Sequence, residues 1–497
     1  MVKSEKDIGV RVPSAILVQA QKTWGVKFYG SGVEGTRTGD AVGLVAGVGD
    51  DTNGTVKNDF DTQGPWSQIG KVDCPALSSD GTALGIMNKM GFIPQFYENF
   101  SYGTDSVGGY AWYQISNFPK EGFWPAFKNK DGTIAKGSLL GRYKLTPLDL
   151  SSNIGVFGSA TGMPQEVNVS PSGAQSGMSY IKYPYLGATS VKQLLFGRTL
   201  QQWNAFKYLM VIEFATLNVQ SIFPGIGWEG WQKITELGTT HNIIGTPTKY
   251  VSCATSNYLS SQSSIGSAIA IFISGNQWTL RTIIAKDADT DSNGAASGYT
   301  RLTISGDAVT LASDNIVNFN WSYSSGITDC ISASSGNLTS KTDGLTGYGI
   351  HAFKYRGFEN LYGGIWEFLG NAAMKDVNDG TTNKLTIVQC GSSGTLNTPS
   401  TYSELSGKQL PTSNGWQKLQ EDDDGVLVPT ELEANDSSYQ CDYYWVAPIS
   451  SAGTSYFEAL VGAPGSAYTN CGPFSLAVDF GFGCSGSYFG GRASLWL

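Results

Sequence analysis

The apolar and polar positions along this chain form many short alternating runs and one helical run. In residues 199–220, TLQQWNAFKYLMVIEFATLNVQ, the side chains Trp203, Phe206, Met210, Phe214 and Leu217 recur at helical spacing, which predicts a helix with one apolar stripe. Thr199 stands at the N-cap position, where a hydroxyl can accept from the first free amides. Elsewhere the period is two. In FSLAVDFGF, residues 474–482, the side chains Phe474, Leu476, Val478, Phe480 and Phe482 alternate with Ser475, Ala477, Asp479 and Gly481. That pattern predicts a strand with one apolar face, Leu476 in the core and Asp479 exposed. CDYYWVAP, SYFEALVG and RASLWL read as neighbouring strands, with Leu495 and Leu497 expected to pack on the helix.

Strands are also expected in IMNKMGFIPQFYENFSY, YAWYQISNF and SLLGRYKLT, joined by the aromatic loop FPKEGFWPAFKNKDGT, whose Asp131-Gly132 is a hairpin signal. Residues 1–85 read as a small, mainly β attachment region and 86–497 as the main domain. From about 238 to 345 Ser, Thr, Gly and Asn dominate around short runs such as AIAIFI and TRLTI, which predicts a β-rich insertion. A strong helix among many strands predicts an α+β class with long loops.

Composition narrows the function. Only 15% of the 497 residues are charged while 12% are aromatic, and glycine occurs 63 times. The formal charge of −9, without a basic stripe, argues against nucleic-acid binding. No run of about 18 apolar residues is present, so no membrane insertion is expected. Arg11 and Pro13 interrupt the apolar part of the N-terminus, so synthesis in a cytoplasm without general secretion is expected. Two histidines, His241 and His351, leave little for acid–base or metal chemistry. Seven cysteines without a CxxC pair read as free thiols, with Cys471 and Cys484 the one pair considered for a bridge. In DADTDSNG, Asp289, Asp291 and Asn293 match the first half of a calcium loop, but position twelve is Thr300 rather than Glu and no helices flank it, so a polar hairpin turn is expected and a calcium site is only the weaker alternative. No other cofactor is indicated.

FENLYGGIWEFLG, with Trp366 and Glu367, resembles the G-N-V/I-W-E-W/F signature of the formylglycine-generating-enzyme type of C-type lectin fold. WNAFKYLMVIEFA looks like that family's helix, and FGGRASLWL, with Gly491 and Arg492, like its closing strand. EGTRTGDAVGL, FDTQGPWSQI and FPKEGFWPAF look like segments of phage structural proteins carrying the domain. The resemblance implies the C-type lectin (formylglycine-generating-enzyme-like) fold. The oxidase branch uses two cysteines four residues apart, which Cys471 and Cys484 do not match, so no enzyme is expected; Glu213, Glu359 and Glu367 are the carboxylates an enzyme would offer.

The other branch consists of variable proteins diversified by retroelements, found at phage tail-fibre tips. Their variable region begins near A-L-x-G, here Ala459, Leu460 and Gly462, and ends near G-x-R, here Gly490 to Arg492. The resemblance thus places a variable region at about 459–492. Diversification at AAY codons leaves codons unable to encode Lys, Glu, Gln, Met or Trp. Those types make up about 16% of the chain, yet residues 462–494 contain none.

This implies a virion receptor-binding protein, made in the bacterial cytoplasm, that binds a surface glycan or protein, contacts other tail proteins and forms a homotrimer. A head-decoration or baseplate component is the alternative. The expected contact residues are Tyr443, Tyr444, Tyr468, Asn470, Phe474, Asp479, Phe482, Ser487, Tyr488 and Phe489, a palette of rigid aromatics and small polar groups. Trp445 is expected at the border, and Arg492 as a paired structural charge.

Overall fold

The computed structural model describes residues 20–52, 56–148, 156–161, 170–182, 192–228, 233–234, 245–255, 265, 268–273, 277–290, 296–311, 318–320, 325–339, 352–390, 403–405, 407–434, 442–463, 471–485 and 488–497. Among these, strands dominate, and only two segments, Pro171–Ser176 and Leu200–Phe214, are α-helical. The expected α+β class, and the C-type-lectin-type layout attached to it, are corrected to a mostly β fold. The strong 3.6-residue period was confined to one run, and the Gly-separated aromatic runs around it pair into sheets.

Three sheets surround the helix Leu200–Phe214. A five-stranded sheet takes Thr36–Gly39, Thr23–Tyr29, Gly109–Ser116, Tyr97–Thr104 and Trp124–Pro125 in that spatial order. In a seven-stranded sheet Ala83–Pro94 lies between Gly70–Leu77 and Gly137–Gly141, and Ala493–Trp496 follows. The anticipated boundary at residue 85 thus falls inside a strand. The largest sheet orders Ser403–Glu404, Asn383–Gln389, Trp366–Asn378, Gly453–Val461, Leu476–Phe480, Tyr443–Val446, Gly415–Asp423 and Val426–Glu433, with Phe489–Gly490 pairing Trp366–Asn378 separately. Six further strands, including Gln277–Thr290 and Ala296–Ile304, form a sheet with its own core of Val251, Ile269, Ile271, Ile283, Leu302 and Ile304.

The helix carries more than an apolar stripe. All but its last residue are buried, including Gln202, Asn204, Lys207 and Glu213. Burying polar groups on every side is tolerable only when each finds partners. Asn204 bridges Glu98 and the Gly425 carbonyl, and Lys207 donates to the Leu427 carbonyl. Thr199 and Gln202 form a reciprocal capping box, and Ala215, with φ 53°, ends the helix in the left-handed region. Because the Thr199 hydroxyl also accepts from Trp496 Nε1 at 3.3 Å, Thr199→Ala should cost about 1 kcal/mol of stability, read from the denaturation midpoint.

Trp496, not the leucines, therefore joins the C-terminus to the helix. Leu495 lies in a second core with Met90, Leu139, Phe196, Trp366 and Phe368, and Leu497 packs against its edge. The difference follows from pairing: Ala493–Trp496 lies between Gly137–Gly141 and Phe196–Gly197, with Leu495 opposite Leu139. Two cores on opposite faces of the C-terminal strands are what place the functional surface.

Candidate functional site

Alternation in Tyr443–Val446 sends Tyr444 and Val446 into the large core and leaves Tyr443 and Trp445 half-buried on the other face. Trp416 lies opposite Tyr443 in the adjacent strand, so its ring shares that face. The rings form a continuous chain, with Trp416 5.3 Å from Tyr443, Tyr443 4.8 Å from Trp445 and Trp445 5.0 Å from Trp366. Phe489, in backbone register with Trp366, carries a second group, with Phe480 at 4.9 Å and Tyr488 at 4.6 Å. Trp445, Phe480, Phe482 and Tyr488 remain partly exposed while packing on the second core. The edge-to-face pairs among them, Trp416–Tyr443, Trp445–Trp366 and Phe480–Phe489, hold one another in place, each pair worth about 0.5–1.5 kcal/mol.

The strict alternation expected from Phe474 to Phe482 fails because Leu476–Phe480 contains a bulge. Leu460 pairs Ala477, yet Glu458, two residues away, pairs Phe480, three residues away. The extra residue switches faces. Leu476 and Val478 enter the large core, whereas Ala477 and Phe480 both meet the second core. Asp479, expected exposed, is half-buried; its Oδ1 has no hydrogen-bond partner, and burial raises its carboxyl above the usual range.

Three other expected contact residues are corrected. Tyr444 is fully buried, its hydroxyl donating to the Pro411 carbonyl at 3.2 Å. Phe474 is buried between Tyr113 and Lys207, its amide donating to Asp442 at 2.6 Å. Phe489 is buried beneath Tyr488 and Phe480 and supports the face instead of presenting to it. Tyr468, Asn470 and Ser487 lie outside the described residues. Trp416 was missed, although its alternation with the buried Gln417 was a readable signal.

Beneath the aromatic face lies a buried ionic cluster. Glu367, Arg198 and Arg492 are completely buried, with Glu367 3.0 Å from Arg198 and 2.9 Å from Arg492. Arg492 also donates to the carbonyls of Gly141, Arg142, Glu359 and Asn360. Gly491 permits this approach, since a Cβ there would stand 2.4 Å from the Phe368 ring. Burial opposes ionisation of Glu367, but the two guanidinium charges outweigh it and hold its carboxyl below the usual range.

The carboxylates considered for catalysis are engaged in the interior. Glu359 accepts from the Gly326 and Thr328 amides and the Thr328 hydroxyl, and Glu213 from Tyr355, Asn58 and Arg356. Asp289 is buried and held by Ser252 at 2.6 Å and Arg301 at 2.5 Å; Asp291 and Asn293 lie outside the described residues. The described residues contain no cluster of three metal-ligating side chains. Cys471 and Cys484 are not joined in a disulfide, which corrects the bridge considered for them. Among the described residues, no helix is long and apolar enough to cross a membrane.

Glu458 sits opposite Phe480, 1% exposed, with Oε1 unpartnered, and burial raises its carboxyl well above the usual 4.5. A carboxyl with a raised folded-state pKa binds its proton more tightly in the native state, so its contribution weakens stability as pH rises above 4.5. Glu458→Gln should be more stable than the parent at pH 7, with the difference vanishing in acid, as read from melting temperatures across pH.

No protein-family model matches this chain, and no curated protein matches its sequence.

Proposed function

We propose that this chain is a virion receptor-binding protein that recognises a bacterial surface glycan or protein through the aromatic face of its largest sheet. The observation that carries the reading is the run of half-buried rings Trp416, Tyr443 and Trp445, backed by the buried Trp366, with Tyr488 and Phe480 packed on the buried Phe489 in the strand paired to Trp366. A row of partly exposed rings, anchored from below by a second core, offers large contact area with little side-chain entropy to lose. Aromatic anchors of this kind dominate binding energy at protein interfaces, and their faces also suit the C–H faces of sugars. The absence of Lys, Glu, Gln, Met and Trp from residues 462–494 supports a substitutable border to that face.

The reading includes display in several copies, as a homotrimer contacting other tail proteins, because multivalency compensates for modest single-site affinity. It assigns no catalytic step, and it rests on the aromatic face rather than on a fold family. The rival is a capsid or baseplate component without a host ligand. Immunogold labelling of intact particles together with binding of purified protein to host cells tests it. Label at the tail tip with saturable cell binding is expected; label on the capsid wall without cell binding overturns it.

A further inference from the structure

The hairpin at the end of the largest sheet is strongly acidic. Glu421, Asp422, Asp423 and Asp424 precede Gly425 between the strands Gly415–Asp423 and Val426–Glu433. Asp424, with φ 55°, and Gly425, with φ 87°, make the tight turn. The strand Tyr97–Thr104 brings Glu98 to the same place. Asn204 donates to Glu98 Oε1 at 2.6 Å and to the Gly425 carbonyl at 2.9 Å, and the Gly425 amide donates to Asp422 Oδ1 at 3.1 Å. Each carboxyl thus has one oxygen held by the protein.

The other oxygen of each, Glu98 Oε2 and Asp422 Oδ2, is buried without a hydrogen-bond partner. Glu98 is only 2% exposed. Burial raises both carboxyls, Asp422 to about 6 and Glu98 well above its usual range, with the charge of Asp422 adding to the rise at Glu98. Gln420, two residues before Asp422 in unbroken register, shares its strand face, and its Oε1 is also buried and unpartnered.

Tyr208 supplies an independent sign. It is fully buried, its hydroxyl has no partner, and it feels the charges of both Glu98 and Asp422. A buried phenol ordinarily finds a hydrogen bond. Unpartnered buried oxygens are rare, and four of them, from one helix and two strands, call for a common partner. The ammonium groups that act on the two carboxyls are engaged elsewhere: Lys207 donates to the Leu427 carbonyl at 2.8 Å, and Lys408 pairs with Glu421 at 2.6 Å.

The partner that suits this set is a hard cation. Two carboxylates are fewer than the three His, Cys, Asp or Glu groups of a conventional metal cluster, but an amide oxygen and water complete a calcium shell, and the Tyr208 hydroxyl can hold such a water. Calcium tolerates an irregular arrangement of this kind, whereas magnesium demands a near-ideal octahedron.

We propose that Glu98, Asp422 and Gln420 form a calcium site that ties the acidic hairpin to the strand Tyr97–Thr104. Equilibrium dialysis of the full chain against calcium chloride tests it, together with melting temperatures in calcium and in chelator. Saturable binding of one calcium ion per chain is expected, with a higher melting temperature in calcium. Glu98→Gln, which keeps an oxygen for Asn204, should weaken calcium by about tenfold, because ligand charge sets affinity. Asp424→Asn, on the exposed tip of the same hairpin, should leave it nearly unchanged. Absence of bound calcium overturns the proposal, and so do equal losses in the two variants, which would mean diffuse attraction to the hairpin. If Glu98→Gln does not fold, Asp422→Asn is read by the same outcomes.

Discussion

Glu367→Gln should lower the stability of this protein by about 3–5 kcal/mol, because it leaves two fully buried arginines without their shared counter-charge. The substitution keeps side-chain size, so the loss would be electrostatic. Arg492 would retain its four carbonyl partners. Arg198 would be worse placed, since its Nε and Nη2 already have no hydrogen-bond partner and burial lowers its pKa to about 10 even with Glu367 beside it. The pH dependence has a definite sign. A carboxyl held below its usual value contributes stability that is present above about pH 4.5 and lost as pH falls through the folded-state value. The parent should therefore lose stability in acid, and Glu367→Gln should lose less of it over the same range. Chemical denaturation at pH 7 and in acid measures both effects, and an unchanged midpoint at pH 7 would refute the assignment.

Receptor binding should respond most to Trp445→Ala. Trp445 touches both Tyr443 and Trp366, so its removal breaks the ring chain at its middle. Truncating a central aromatic anchor typically costs 2 kcal/mol or more, which is roughly a thirtyfold loss of affinity. Trp445→Phe should recover part of it, since a ring would still fill the gap. Tyr444→Phe, one residue away but facing the large core, should leave binding unchanged and affect only stability through the Pro411 hydrogen bond. Binding of purified variants to host cells reads this contrast, and equal losses for Trp445→Ala and Tyr444→Phe would count against it.

The helix was legible because its 3.6-residue period and its Thr199 cap agree, and local signals that agree are the ones a single sequence carries. Its burial on all sides was not legible, since Asn204 and Lys207 look like solvent-facing residues until Glu98 and Leu427 arrive from distant strands. Tyr443 and Tyr488 are partly exposed, as the aromatic palette led one to expect, whereas Tyr444 and Phe474 face the core. The difference between Tyr443 and Tyr444 is one step of strand alternation, and which parity faces outward depends on the sheet behind it. The bulge that turns Phe480 onto the aromatic face leaves no mark in an alternating pattern. The α+β expectation failed because a single strong helical run was given the weight of a layer, whereas it is one buried helix among paired strands. Arg492 illustrates the opposite case, because a lone charge among glycines and apolar residues has to be paired if buried, and Glu367 supplies the pairing.

The most direct test of the central claim is hydroxyl-radical footprinting of the full chain with and without isolated host envelope. The account predicts protection at Trp416, Tyr443, Trp445 and Tyr488 together, with Trp112 on the far sheet unchanged. Envelope binding that leaves those four side chains as reactive as in the free protein would contradict it.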